Sequence, residues 1–204
     1  MMEWQTYGSV SVAKGEMKFN ESLEFKSSHI GLDSFLSELY EELHPSYPKF
    51  FKMDNLGKLA FLLSEMLISK LPWIKIIPKE KISICLQTAH GSLDTDLRYN
   101  QTITNQEEYF PSPSLFVYTL PNIAIGEICI RNGFMGENVC LVNEQFDPEI
   151  VSPQLHDWFS TGESELCLLG WIDVWNDHYE ALLMAIGPKS QKKDHSFPQK
   201  NSNS

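Results

Sequence analysis

The chain has 204 residues, 16 Lys and Arg against 27 Asp and Glu, a formal charge of −11, and 42% hydrophobic residues. That is apolar material for one sizeable globular domain and excludes disorder over most of the length. The acidic balance excludes nucleic acid as a partner, since phosphate binding needs a basic stripe whose counterion release supplies the affinity. The N-terminal stretch Met1 to Gln5 lacks the basic and apolar regions of a secretory signal, which predicts a cytoplasmic protein. The longest apolar runs, Leu166 to Ile172 and Ala181 to Ile186, are far too short to span a bilayer. Cys85, Cys129, Cys140 and Cys167 have no metal-binding spacing and read as reduced, buried thiols.

In chain order, Tyr7 to Val12 alternates small and β-branched residues and reads as a strand running into a turn at Gly15. Phe35, Leu36, Leu39, Tyr40 and Leu43 repeat at helical spacing, with Asp33 as N-cap and His44-Pro45 as the stop. A longer helix follows Asp54, its stripe of Leu56, Leu59, Leu62, Leu63, Met66 and Leu67 ending at Leu71-Pro72. Lys81 to Leu86 reads as a buried strand that runs into the loop Thr88-Ala89-His90-Gly91-Ser92. After the polar stretch Asp94 to Glu108, Pro111 to Ser114 marks a loop, and Ile123 to Ile130 reads as a helix apolar nearly all round, closed by Asn132-Gly133. Asn138 to Val142 is expected as a strand, Pro148 to Thr161 as a helix, and Leu166 to Leu169 and Ala181 to Ile186 as two last strands. This alternation predicts an α/β domain over residues 1–187, a mixed, mostly parallel sheet with helices on both faces. Residues 188–204 are polar, without apolar pattern, and are expected to form a disordered tail.

Several segments together resemble, in order, the N-terminal half of the β-ketoacyl synthases. They are Phe51-Lys52-Met53-Asp54, Thr88 to Asp96, Ser112 to Phe116, Leu120 to Ile128 with Gly133 to Gly136, and Gly162 to Gly170. The resemblance implies a thiolase-like half, with the histidine-bearing second half absent. Counting along the family's pattern from Gly136, and back from Gly162, puts the nucleophilic cysteine's place at Gln145. Glutamine at that place is similar to chain-length-factor subunits. A condensing enzyme needs a thiolate at the turn into a helix, where the positive end of the helix dipole favours it, and an amide cannot be acylated this way. The resemblance therefore implies a truncated synthase-like protein acting as a non-catalytic accessory subunit in fatty-acid or polyketide assembly, with no cofactor and no metal.

Among other candidates, His156-Asp157 and the pair Asp173 and His178 suggest acid/base work, and His90 lies in a loop at a strand's end, where α/β folds bind ligands. His90, His156 and Asp173 are thus the candidates for an alternative activity, an acyl-thioester hydrolase or transferase without cysteine. Gly133 and Gly136 read as turn glycines rather than an anion-binding nest. Ile123, Ile125, Ile128 and Ile130 leave their helix almost no polar face, so they are expected at an interface with a synthase-like subunit or a second copy. A structural homodimer without acyl chemistry is the third reading. Charge disfavours docking of an acidic acyl carrier protein unless Lys49, Lys52 and Lys58 face it.

Overall fold

The computed structural model describes residues 4–29, 31–104 and 110–189. The polar tail expected from residue 188 thus falls, from residue 190, outside the described residues. One mixed sheet of seven strands organises the rest, in the order β3-β2-β1-β7-β6-β4-β5. The strands are β1 (Trp4–Ala13), β2 (Glu16–Phe19), β3 (Ser22–Lys26), β4 (Ile82–Thr88), β5 (Asn138–Val142), β6 (Leu166–Trp175) and β7 (His178–Pro188).

The expected α/β architecture is present, but the pairing is not mostly parallel. Only β4–β5 and β4–β6 pair in parallel, and the four other pairings are antiparallel. Tight turns are the cause in three of the four. Lys14-Gly15 and Asn20-Glu21 each place two successive residues at positive φ, the backbone of a two-residue hairpin turn, and Asn176 sits at φ 52 between β6 and β7. Such turns force antiparallel neighbours, whereas parallel pairing needs a crossover. The hairpin of β2 and β3 was not expected from the sequence, because strands of 4 and 5 residues carry too little alternation.

Helices cover both faces. On one lie α1 (Leu32–Leu43), α2 (Asn55–Lys70) and α5 (Ile123–Asn132), and on the other lies α6 (Pro148–Ser160). The Asp54 side chain caps α2 by accepting the Gly57 N–H at 2.9 Å, as the sequence predicts. α1 instead starts after Gly31, with Asp33 in its first turn. Leu59, Leu62, Leu63 and Leu67 on α2 are fully buried, each contributing about 1.5–3 kcal/mol of burial. α2 packs against β1, β6 and β7 on one side and against α1 and α5 on the other, which makes it the centre of the larger core.

That packing corrects the reading of α5. Ile125 and Ile128 are buried against this chain's own core, Ile123 is half-buried, and only Ile130 stands out in solvent. Their cover comes from α2, so they do not form an exposed interface together. The polar stretch after Ser92, to which the sequence assigns no element, is helical over α3 (Leu93–Thr104), and the short α4 (Pro113–Val117) begins inside the segment expected as a loop at Pro111 to Ser114.

Candidate functional site at the carboxyl edge of the parallel strands

Because β4, β5 and β6 are parallel, the segments that leave their C-terminal ends meet along one edge of the sheet. The loop after β4, the bend after β5 and the last residues of β6 all lie there. Asp173 on β6 organises the loop. Its Oδ1 accepts the Thr88 hydroxyl, the Ala89 N–H and the His90 N–H, each at 2.9 Å, and its Oδ2 meets His90 Nδ1 at 2.8 Å. The His90 ring stacks on Trp175, with centroids 5.2 Å apart and planes 7° from parallel. Burial alone would raise the Asp173 carboxyl, but the hydrogen bonds from the His90 backbone and ring and from Thr88 outweigh it and hold the group below its ordinary range.

The sequence candidates His90 and Asp173, 83 residues apart, are thus one hydrogen-bonded dyad. The pairing of Asp173 with His178 is not formed; His178 is exposed and sits opposite Trp175 across the β6–β7 hairpin. His156 is exposed on α6 and joins neither group. Trp175 and Thr88 were not singled out from the sequence, because adjacency across parallel strands leaves no local pattern.

Gln145 lies in the bend between β5 and α6, exposed and three positions before the helix begins at Pro148. The bend is stapled from below by Gln87, which is fully buried on β4. Its Oε1 accepts Asn143 Nδ2 at 2.8 Å and the Asp147 N–H at 2.9 Å, while its Nε2 donates to the Asp147 carbonyl at 2.8 Å. Asp147 then caps α6 through the Glu149 N–H. This elbow is held by three hydrogen bonds to Gln87, and Gln145 presents an amide on it.

Burial pushes the Cys85 thiol up to about 12 and Cys140 up to about 11, and it raises Cys129 and Cys167 as well. All four are free. Gly133 closes α5 at φ 70, and Gly136 passes so close to β4 that a Cβ there would lie 2.4 Å from the Ile82 carbonyl oxygen, so both serve the backbone path. Among the described residues no cluster of His, Cys, Asp or Glu could hold a metal, and no helix is long and apolar enough to cross a membrane.

A sheet whose β6-β4-β5 end is parallel, bordered by an antiparallel β7 and covered by helices on both faces, is shared with ketosynthases of thiolase-like fold among the solved structures. The ketosynthase ApeO in complex with its chain length factor ApeC from Xenorhabdus doucetiae contains a chain matched at a TM-score of 0.60 and 12% identity, over 94% of this chain and 81% of that one. The ishigamide ketosynthase/chain length factor gives a TM-score of 0.65 at 13% identity, over 93% of this chain and 63% of that one. A type II polyketide synthase acyl-carrier protein in complex with its ketosynthase gives 0.59 at 10% identity, with the same 93% and 63% coverage. The chain therefore spans rather less than two thirds of the latter two, and identities this low make the likeness one of fold. No protein-family model and no curated protein matches the sequence.

Proposed function

We propose that the chain is a non-catalytic, synthase-like accessory subunit that pairs with a ketosynthase in polyketide or fatty-acid assembly. The observation that carries this reading is Gln145, exposed at the elbow where the fold's chemistry needs a thiolate, with every thiol of the chain pushed away from ionisation. Two of the solved neighbours pair a ketosynthase with a chain length factor, which supports the same kind of partner here. A surface for it is available. Leu93 and Leu97 on α3, Phe116 and Val117 on α4, and Leu120 just beyond are all exposed, on helices that pack together. β5 ends the sheet, so its outer edge is also open for pairing. Docking of a carrier protein draws less support, since Lys49 is engaged by Glu127 at 2.8 Å.

Co-expression with a ketosynthase of the same organism, followed by light scattering, tests the proposal. A heterodimer is expected, weakened by Leu97→Ser combined with Phe116→Ser. A chain that stays alone or pairs only with itself refutes it.

The His90–Asp173 dyad favours one alternative, hydrolysis of acyl thioesters with the imidazole as general base toward water. Turnover of a simple acyl thioester that is lost in His90→Ala and kept in His156→Ala would establish that activity. Absence of turnover removes it.

A further inference from the structure

The seating of α3 differs in kind from that of the other helices. α2 buries a wide leucine stripe, whereas Thr95 is the one residue of α3 that is buried, and Leu93 and Leu97 face away from the core in solvent. Hydrogen bonds hold the helix down instead. The Thr95 hydroxyl donates to Asp54 Oδ2 at 3.0 Å, and the hydroxyl of Ser92, just before the helix, donates to the Thr119 carbonyl at 2.6 Å. Beyond these, Tyr99 meets Phe116 of α4, with ring centroids 5.5 Å apart, while α4 is anchored separately through Tyr118, which is buried in the core. A helix held this way gives up little apolar burial when it lifts, so its local opening costs less than unfolding of the core.

The seating turns on Asp54. Its Oδ1 caps α2 through the Gly57 N–H, and that bond survives if α3 lifts, whereas the Thr95 bond is lost and the carboxyl meets water. Lys58 on α2 and Arg98 on α3 act on the carboxyl in favour of its charged form. Tyr118 faces it from beyond α4 and donates its hydroxyl to Glu127, which Lys49 pairs at 2.8 Å. Asp33, Asp94, Asp177 and Lys52 share the open cleft beside it, and Asp96 of α3 lies next to Ser92. Burial outweighs the two cations and both hydrogen bonds, and the carboxyl is pushed up to about 6.

We propose that α3 is a pH-sensitive latch, in which ionisation of Asp54 favours an opened arrangement with α3 lifted from the start of α2. Opened, Asp54 titrates in the ordinary carboxylate range; closed, it titrates at about 6. The closed arrangement is therefore fully favoured below the ordinary range and is weakened as pH rises through about 6. The latch is a property of the chain alone and does not depend on the partner proposed for the face of α3.

Amide hydrogen exchange of the whole chain, read by mass spectrometry and divided by the intrinsic chemical rate at each pH, tests the proposal. Exchange across α3 should be faster than across 59–67 of α2 and should quicken about tenfold between about pH 5 and about pH 8. The β2–β3 hairpin, whose opening does not uncover Asp54, should keep a constant rate. Asp54→Asn should abolish the pH dependence of α3, and Thr95→Val should quicken its exchange about tenfold at each pH, as loss of a hydrogen bond to a carboxylate implies. Circular dichroism verifies that each variant is folded. A pH-independent rate across α3, the same pH dependence in folded Asp54→Asn, an unchanged rate in folded Thr95→Val, equal rates in α3 and α2, or complete exchange of α3 at the earliest time at every pH would overturn the assignment.

Discussion

Asp54 joins two helices and carries an energetic conflict that can be measured. Its Oδ1 caps α2 through the Gly57 N–H, its Oδ2 accepts the Thr95 hydroxyl of α3 at 3.0 Å, and the residue is only 8% exposed. Burial pushes its carboxyl up from 3.8 to about 6, against the opposing pull of the Gly57 and Thr95 hydrogen bonds and of Lys58 and Arg98. The folded state therefore holds a proton more tightly than the unfolded chain does. Stability associated with this group is fully present below the unfolded value and is lost as pH rises through about 6. The shift corresponds to about 3 kcal/mol, an order-of-magnitude figure. Asp54→Asn keeps the geometry, since the amide oxygen can still cap Gly57 and the amide nitrogen can donate to Thr95, while no charge is buried. Urea unfolding of both proteins from about pH 4 to about pH 8 should show the variant gaining on the wild type by about 2–3 kcal/mol across that range. Other titrating groups cancel in the difference. A gap that stays constant with pH, or one that moves against the variant, refutes the account of a carboxylate buried at a net cost.

Four further outcomes are expected. Asp173→Ala should cost about 2–4 kcal/mol in chemical unfolding, since it orphans the Thr88 hydroxyl and two loop N–H groups, whereas His90→Ala should cost under about 1 kcal/mol. Equal costs would show that the ring and not the carboxylate holds the loop. Gly136→Ala should lower the melting temperature by several degrees, because the new methyl meets the Ile82 carbonyl at 2.4 Å and backbone must move. Incubation with an acyl thioester should leave the mass of the intact chain unchanged, and an acyl adduct on any cysteine would contradict the thiol environments described above. Ellman's reagent at neutral pH should label Cys85 and Cys167 only on unfolding, both being fully buried.

The elements that the sequence determined are those whose signal is local. Asp54 capping a leucine stripe, the start at Ile123 and Asn132-Gly133 stop of the apolar helix, and the five residues of β5 are each set by spacing along the chain, and the structure has them where the pattern puts them. The collinear segments likewise pointed to the thiolase-like fold, and they located the elbow at Gln145, which the structure sets in the bend before α6. What remained illegible depends on contacts between distant positions. Periodicity shows that Ile125 and Ile128 want cover, but only the packing of α2 against α5 shows that the chain supplies it itself. Asp173 and His90 were separately visible as titratable residues, yet their pairing follows from β4 and β6 lying side by side, a register fixed by the whole sheet. Burial patterns are written residue by residue, whereas a site is made by which surfaces meet, and that only the tertiary structure decided.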